Sequence, residues 1–503
     1  MLRRLRDIAV AVAVAVASLS GCEAFVDGTE PRPTASRSDE LRPDSPNTTE
    51  PPPSFAPGDV VEDYLVPDAS VAVHFTRAGS HRVPPADTND SGIPDFVESV
   101  GATYAAVLDR YEALGFRRPP DDALIPGDNG GDARFDVYLV NFGTSADGAY
   151  RKECLASDPI RCTGYMVQEN DFAGFGYPTV LDGIVTVSSH EYFHAVQAGY
   201  SSVQGVNITE GTAVWASEQF RPALNDLEGF ANAYLMQPER SLDQEPAGPV
   251  DSYAYGLALF FECLTAQRGQ DAVKDLWERI DGGAGWLGTL ERNVAEDGGS
   301  IATILERCAD YNLFTGGRAR AGYGHARAER LGLAMVTPSS GSLSVPRARM
   351  FRASTRYYQA TGLPSDAVLW WRPADDAPDG GVASIRVRFT PGEPQQLQAV
   401  MPDTVVPVSA TSAFVLISNV ATSGPSVPVQ VCVGAPSFVQ GCRPVPDAGV
   451  PDAGLMVEED AGVVTDGGVE PPPPPGSCGC GTGGAPLLLA LGLMLVRRSR
   501  LRA

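Results

Sequence analysis

The spacing of apolar residues changes once along the interior of the chain, near residue 327. Before this point, apolar residues at helical spacing alternate with short β-branched runs such as residues 70–75 and 135–142. After it, helical spacing disappears, and β-branched or aromatic runs separated by Gly, Pro and Asp continue to residue 434. Because a period of 3.6 indicates helices and a period of two indicates strands, the sequence predicts an α+β region followed by a β-sandwich.

Two expectations concern local structure in the α+β region. Residues 182–187 (DGIVTV) predict a strand that leads into a helix capped by Ser188 or Ser189. Residues 164–168 (GYMVQ) predict a short edge strand along which an extended peptide can pair. Helices are expected at residues 94–115, 210–220, 224–236, 253–267, 271–279 and 301–311.

The charge balance restricts the kinds of partner. The 503 residues include 62 Asp and Glu against 38 Lys and Arg, a net charge of −24. Such an acidic chain is poorly suited to nucleic acid or an anionic membrane surface, so we expect neither as the main partner. The balance suits a protein that works outside the cell.

The first residues indicate export. Residues 1–21 combine a basic start with a short apolar run, which predicts a signal peptide. The segment 19–22 (LSGC) resembles the bacterial lipobox, which implies cleavage before Cys22 and lipid attachment to its thiol; an ordinary signal peptide with a chance cysteine is the alternative. Residues 22–59 are rich in Pro, Ser and Thr and predict a disordered linker.

The last residues indicate a second sorting signal in addition to the signal peptide. Residues 444–475 predict a stalk rich in Pro, Asp and Gly. Residues 476–503 contain Cys478, Cys480, a short apolar run and an arginine-rich end. This arrangement looks like the MYXO-CTERM sorting signal of myxobacterial surface proteins. We therefore expect the protein at the cell surface or outer membrane as a lipoprotein, or secreted, with membrane contact only through the lipid anchor or the sorting tail.

Six further cysteines lie in the interior of the chain. An even number in an exported chain predicts disulfide bonds. Proximity in sequence favours the pairs 154–162, 263–308 and 432–442, although six cysteines permit fifteen pairings.

The chemistry of the chain is concentrated in the pattern H-E-x-x-H at residues 190–194. On a helix, His190 and His194 share one face, and two imidazoles suit Zn²⁺. Glu191 is then placed to act as the general base for a water molecule that zinc acidifies. An exposed helix with incidental histidines is the alternative.

A third ligand is expected among the acidic residues that follow. The segment EGTA at 210–213 resembles the gluzincin metallopeptidases, in which the glutamate of a second helix binds zinc. This resemblance implies that Glu210 is the third ligand. Glu218 is the rival, and one straight helix brings only one of these two glutamates to the ion.

The segment 253–256 (YAYG) is similar to a Tyr-x-x-Gly segment of one gluzincin aminopeptidase family. The resemblance implies that Tyr253 donates a hydrogen bond to the oxyanion of the transition state, with Tyr255 as the second choice. Two core tyrosines without a catalytic role are the alternative.

A second cation site is predicted at residues 87–98 (DTNDSGIPDFVE), which fit the twelve-position calcium loop. The alternative is a solvated Asx turn that caps the helix after it. Glycine stands at position 6, and oxygen-bearing side chains stand at positions 1, 3, 5, 9 and 12: Asp87, Asn89, Ser91, Asp95 and Glu98.

Together these segments look like a family of secreted myxobacterial metalloproteases. The resemblance implies a zincin-like metalloprotease domain at residues 60–322, with a mixed sheet, active-site helices and a helical C-terminal part, before a β-sandwich domain at 323–443. It implies a zinc metalloendopeptidase that hydrolyses extracellular proteins or peptides. A catalytically inactive zincin-like surface binding or adhesion protein is the alternative.

Overall fold

The computed structural model describes residues 54–443, apart from residues 68, 124, 126–128, 144–145, 249, 281–283 and 379. The predicted signal peptide, most of the predicted linker, the stalk and the sorting signal lie outside the described residues. Residues 54–59 of the predicted linker are described. Within them Phe55 is 3% exposed and packs with Val61, Tyr138 and other residues of the first sheet.

A mixed five-stranded sheet forms the first layer, with the strand order β1-β2-β3-β5-β4. The central strands β2, β3 and β5 are parallel, while β1 and β4 pair antiparallel at the two edges. The strands are β1 (Val61–Leu65), β2 (Val71–Thr76), β3 (Phe135–Val140), β4 (Gly148–Leu155) and β5 (Asp158–Glu169).

The prediction of an edge strand at residues 164–168 is wrong. These residues belong to β5, which lies between β3 and β4, and the edge is formed by β4 instead. The sequence of β4, GAYRKECL, shows little alternation of apolar and polar residues, and this weak pattern does not predict a strand. In the structure only one residue of β4 is buried. The disulfide Cys154–Cys162 joins the two strands near their turn.

Two long helices pack together beside this sheet: α1 (Asp95–Ala113) and α2 (Val180–Tyr200). The buried face of α1 carries Tyr104 and Tyr111. The hydroxyl of Tyr111 donates a 2.7 Å hydrogen bond to the carbonyl of Ser189 in α2. A buried hydrogen bond thus joins α1 to α2 at the residue directly before His190.

Helix α2 begins earlier than predicted. Residues 182–187 are helical, so the predicted strand there is wrong. Thr179 caps the helix by accepting a 3.1 Å hydrogen bond from the backbone N–H of Asp182. A Thr followed three residues later by an acidic residue is a cap signal, and here it outweighs the β-branched content of the segment.

Seven α-helices lie between α2 and the last region of the described chain, and four of them match single helices predicted from the sequence. Helix α8 was not predicted, and the single helix expected at 253–267 is divided into α5 and α6. The disulfide Cys263–Cys308 joins α6 to α9. The helices are α3 (Val206–Phe220), α4 (Asp226–Leu235), α5 (Ser252–Gly256), α6 (Ala258–Arg268), α7 (Ala272–Arg279), α8 (Trp286–Glu296) and α9 (Ile301–Leu313).

The last region contains two further sheets with the orders β11-β10-β13-β8-β6 and β12-β9-β14-β7. Residues of both sheets, including Phe389 and Val431, form one apolar core. The elements are β6 (Thr337–Ser340), β7 (Leu343–Met350), β8 (Ser354–Thr361), β9 (Val368–Pro373), β10 (Ile385–Thr390), β11 (Gln398–Val400), β12 (Val406–Pro407), β13 (Ser412–Asn419), β14 (Val427–Gly434) and the helix α10 (Pro436–Cys442). The disulfide Cys432–Cys442 joins β14 to α10, so all three predicted pairs are confirmed.

The strands after residue 337 contact the helices directly. The buried Tyr357 hydroxyl donates a 2.8 Å hydrogen bond to the carbonyl of Ala309, and Arg388 forms a buried ion pair with Asp310. The described residues up to 443 accordingly belong to one compact unit. No helix among the described residues is both long enough and apolar enough to cross a bilayer.

Candidate metal centre

The two histidines of the H-E-x-x-H pattern lie side by side on one face of α2. The ring centroids of His190 and His194 are 4.8 Å apart, and the rings are nearly perpendicular. Their side chains keep 11% and 16% of their surface exposed. The pair is therefore held by the core and still open to a ligand from solvent.

Helix α3 packs against α2 and supplies the carboxylate of Glu210. One oxygen of Glu210, Oε2, lies 3.1 Å from Nε2 of His190 and 3.5 Å from Nε2 of His194. Ligand atoms about 2.1 Å from a tetrahedral zinc ion are separated from each other by about 3.4 Å. Glu210 thus lies at distances from both imidazoles that suit three ligands of one metal ion.

Glu218, the rival third ligand, lies in a different cluster. It is 2% exposed, and its Oε2 accepts a 2.7 Å hydrogen bond from Arg327. Its Oε1 accepts a 3.2 Å hydrogen bond from the backbone N–H of Leu227. Both of its oxygens are therefore used to hold α3 against other elements, and Glu210 is the glutamate that meets the histidines.

The electrostatics of the site favour positive charge between these groups. Burial alone would lower the pKa of His194, but the charge and hydrogen bond of Glu210 raise that pKa to about 9. Burial alone would raise the pKa of Glu210, but His194 and His190 hold it well below its usual range. The protonated His194 thus carries its positive charge at the position where a metal cation would be bound.

Glu191 faces the sheet edge. Its Oε2 accepts a 2.9 Å hydrogen bond from the backbone N–H of Tyr150 in β4. Glu191, His190 and His194 each place one ligand atom within 4.8 Å of the other two. Among the described residues, these three side chains have donor atoms that could hold a metal ion, and Glu210 adds a second carboxylate beside the histidines. Tyr150 was not predicted, because a backbone donor leaves no signal in the residue pattern.

The structure places Tyr255, and not Tyr253, against the histidines. The Tyr255 ring stacks on His190 with 5.8 Å between centroids, and Phe230 stacks on its other side at 4.9 Å. Burial and the nearby carboxylates of the site raise the pKa of Tyr255, so its hydroxyl keeps its proton. Tyr253 is fully buried, and its hydroxyl is 3.4 Å from the carbonyl of Arg240. The second choice of the sequence analysis therefore has the better position.

Further polar residues surround the site that no motif predicted. The Tyr177 hydroxyl donates a hydrogen bond to Asp147, which precedes β4. Asp226 begins α4 and interacts electrostatically with His190; burial raises the pKa of Asp226, and His190 opposes this effect. These groups give the surroundings of the histidines an acidic character.

The predicted calcium loop adopts a hydrogen-bonded turn before α1. The Asp87 carboxylate accepts hydrogen bonds from the backbone N–H groups of Ser91 and Gly92, at 3.1 and 2.9 Å. The Asn89 side-chain amide donates a 3.0 Å hydrogen bond to Glu98. The Asn89 Oδ1 accepts a 3.1 Å hydrogen bond from the backbone N–H of Ser91, which forms an Asx turn. Donors within the segment thus contact oxygens of Asp87, Asn89 and Glu98.

The remaining residues of this loop lie close to the helix start. Asp95 accepts a 2.9 Å hydrogen bond from the backbone N–H of Thr88. Asp90 and Gly92 have φ angles of 55° and 87°. The turn at position 6 therefore uses the conformational freedom that only glycine has without cost. Of the five predicted ligand residues, Asp87, Asn89 and Ser91 precede α1, and Asp95 and Glu98 lie in its first turn.

Comparison with known proteins assigns neither a family nor an activity to the chain. No protein-family model matches the chain, and no curated protein matches it significantly.

Proposed function

We propose that the protein is a zinc-dependent endopeptidase that hydrolyses peptide bonds of extracellular proteins. The observation that carries this proposal is the convergence of His190, His194 and Glu210, with Glu191 beside them on the same helix. These residues would hold the ion through two imidazole nitrogens and one carboxylate oxygen. A zinc ion there would polarise a carbonyl group and acidify water near neutral pH.

In this proposal Glu191 is the general base. Its Oε2 is fixed by the backbone N–H of Tyr150, which leaves Oε1 to take the proton of the attacking water. Transfer of this proton to the leaving amine would complete the cleavage. The carboxylate is oriented by a hydrogen bond, so it loses little conformational freedom when substrate binds.

Tyr255 would support the transition state. Its hydroxyl stays protonated, so it can donate a hydrogen bond to a developing oxyanion. The rings of His190 and Phe230 hold it from both sides. Tyr255 thus takes the role that the sequence analysis assigned first to Tyr253.

The edge strand β4 would bind the substrate. An extended peptide gains affinity by adding a strand to a sheet edge. Among the described residues no strand pairs with the outer edge of β4, and Tyr150 of this strand contacts Glu191. A peptide on this edge would lie next to the proposed base.

The proposal includes two domains of known fold type. A mixed sheet with α1 and α2 beside it, followed by helices, supports a zincin-like domain at residues 60–322. Two sheets that share one core support a β-sandwich domain at 323–443.

Calcium at residues 87–98 is proposed from the spacing of the oxygens and from the left-handed turn at Gly92. We place the protein at the cell surface or outside the cell, tethered through lipid or the sorting tail.

The test compares the full chain with the variant Glu191→Gln. Zinc content is measured by mass spectrometry, and cleavage is measured with casein and a peptide library. The wild type should contain one zinc ion and cleave, and the variant should retain zinc and lose cleavage by at least about a hundredfold. The exposed Glu296→Gln on α8 is the matched control and should behave as wild type.

Three results would overturn the proposal. A wild type without zinc removes the metal site. A wild type with zinc but no cleavage favours a surface binding or adhesion protein. Hydrolysis restricted to esters or glycans assigns the site to a different reaction.

A further inference from the structure

One buried side chain beside the histidines has every polar atom hydrogen-bonded. Gln197 lies three residues after His194 on α2 and is 2% exposed. Its Oε1 is 2.9 Å from Nδ1 of His194. Its Nε2 donates to the carbonyl of Thr209 at 2.8 Å and to Oγ1 of Thr212 at 3.0 Å. Both acceptors lie on α3, the helix that carries Glu210.

The direction of each hydrogen bond follows from groups that have only one option. The Trp277 indole can only donate, and it lies 3.2 Å from Oγ1 of Thr212. The Thr212 hydroxyl donates to the carbonyl of Ile208 at 2.7 Å, since a carbonyl can only accept. The Thr212 oxygen is therefore an acceptor for the side chain of Gln197.

This settles which end of the amide faces the histidine. The nitrogen of Gln197 must face Thr209 and Thr212, because a flipped amide would set its oxygen against a carbonyl. The oxygen then faces Nδ1 of His194, so this nitrogen carries a proton. The other nitrogen, Nε2, faces Glu210, and its lone pair becomes available when a metal ion takes the place of the proton there.

We infer that Gln197 is a positioning residue that fixes the tautomer and ring orientation of His194 for metal binding. This inference rests on the proposed metal site. Metal-binding histidines commonly donate their second nitrogen to an acceptor, and loss of that acceptor weakens metal binding about ten- to hundredfold. Here the acceptor is a neutral amide whose polarity is imposed by α3 and by Trp277 of α7.

The arrangement also couples the two helices that supply ligands. The side chain of Gln197 forms a hydrogen bond to His194 of α2 on one side, and hydrogen bonds to the Thr209 carbonyl and the Thr212 hydroxyl of α3 on the other. A shift of α3 that moved Glu210 would therefore also disturb the acceptor of His194. The third ligand and the second histidine are positioned by one connected set of hydrogen bonds.

The test measures zinc affinity by competition with a chelator in the full chain. Gln197→Met keeps the volume and removes the acceptor, so affinity should fall about ten- to hundredfold. Gln267→Met, on α6 away from the histidines, is the matched control and should leave affinity unchanged. Near-ultraviolet circular dichroism establishes that each variant is folded, and the absorption spectrum of the cobalt-substituted protein reports the ligand geometry.

If Gln197→Met does not fold, the variant Thr212→Val tests the inference instead. Thr212→Val removes one of the two acceptors that orient the amide, and it should weaken zinc binding by a smaller factor than Gln197→Met. A folded Gln197→Met with wild-type affinity and an unchanged cobalt spectrum overturns the inference. So does a Thr212→Val variant with wild-type affinity when it is the only folded one.

Nitrogen NMR of the zinc-loaded protein separates this inference from the proposed function. His194 should bind through Nε2 and show a hydrogen-bonded proton on Nδ1. Binding through Nδ1 would overturn the inference while the protease proposal stands. A wild type that binds zinc through Nε2 without cleaving peptides would overturn only the proposed function.

Discussion

The backbone N–H of Tyr150 lies 2.9 Å from the carboxylate of Glu191, and this hydrogen bond joins the edge strand β4 to the helix α2. The contact depends on a glycine two residues earlier. A Cβ atom on Gly148 would lie 2.4 Å from Val187 and 2.7 Å from Met166. Only a residue without a side chain lets the strand approach the helix this closely.

Replacement of this glycine should therefore impair catalysis without removal of the metal. In Gly148→Ala the added Cβ meets the side chains of Val187 and Met166, so these side chains or the strand must shift beside the hydrogen bond to Glu191. We expect kcat to fall about ten- to hundredfold, because small misplacements of catalytic groups have effects of this size. Peptide hydrolysis and zinc content are the measurements. Gly176→Ala is the control, since a Cβ there meets no atom within 4 Å; equal losses in both variants would contradict the argument.

The two tyrosines of α5 should differ in their effect on turnover. Tyr255→Phe removes the hydroxyl of the ring that stacks on His190, and kcat should fall about a hundredfold with zinc affinity retained. Tyr253→Phe removes a hydroxyl that is 3.4 Å from the carbonyl of Arg240, and activity should stay within roughly twofold of wild type. Steady-state kinetics on one peptide substrate compares them. A larger loss in Tyr253→Phe than in Tyr255→Phe would restore Tyr253 as the candidate.

The two glutamates of α3 should separate metal binding from stability. Glu210→Gln replaces the carboxylate at the histidines, so zinc content should fall sharply while the fold is retained. Glu218→Gln weakens the contact to the partly exposed Arg327, and we expect a loss of about 1–3 kcal/mol in the free energy of unfolding with zinc retained. Zinc analysis and urea unfolding provide the measurements. Zinc loss in Glu218→Gln alone would reverse the assignment of the third ligand.

The sequence was most informative where the site is local. His190 and His194 lie one helical turn apart, and Glu210 follows on the next helix, so helix geometry alone brings two of the three together. The three disulfide pairs also follow from proximity in sequence. The histidine pair and the disulfides 154–162 and 432–442 depend on short stretches of chain, whereas Cys263 and Cys308 are 45 residues apart and meet through the packing of α6 and α9.

The sequence was least informative where the site depends on long-range contacts. Tyr150 reaches Glu191 through its backbone, and its strand has a weak apolar pattern. The role of Gln197 depends on the hydrogen-bond direction at Thr212, which Trp277 determines from another helix. Residues 182–187 show a further limit: strand propensity suggested β structure, but the cap at Thr179 starts a helix.

Calcium should stabilise the protein if the loop at residues 87–98 binds it. The oxygens of Asp87 now accept hydrogen bonds from Ser91 and Gly92, and a bound ion would add ligand interactions that the unfolded chain lacks. At about a hundred times the Kd, binding adds about 2.7 kcal/mol to the free energy of unfolding. Thermal unfolding with calcium and with a chelator measures this effect in the zinc-loaded protein.

The position-specific control for calcium is Asp90→Asn. Asp90 stands at position 4 of the loop, outside the predicted ligand set, and asparagine tolerates its positive φ of 55°. Asp87→Asn should lose most of the calcium effect, and Asp90→Asn should keep it. Equal melting temperatures with and without calcium in the wild type would identify the loop as a helix-capping turn only.

His74 should make stability depend on pH above neutrality. It is buried on β2, with Nδ1 2.8 Å from Asp63 of β1 and Nε2 3.0 Å from Asp136 of β3, and the Tyr138 ring stacks on it. Burial alone would lower the pKa of His74, but the two carboxylates raise it from 6.5 to about 9. The folded protein therefore binds this proton more tightly than the unfolded chain does. Its contribution is complete below pH 6.5 and is lost as the pH rises through about 9.

Urea unfolding between pH 6.5 and 9.5 measures this contribution, which is on the order of 3 kcal/mol. The zinc-loaded protein is used so that His194 does not titrate in this range. Burial lowers the pKa of His325 to about 3, so it is neutral in the folded protein and affects the slope only near pH 6.5, where the unfolded chain still binds its proton. In Asp63→Asn one carboxylate is gone and the folded pKa of His74 is lower, so the loss of stability should be smaller and should end at lower pH. A wild type whose stability is constant over this range would show that His74 is neutral in the folded protein.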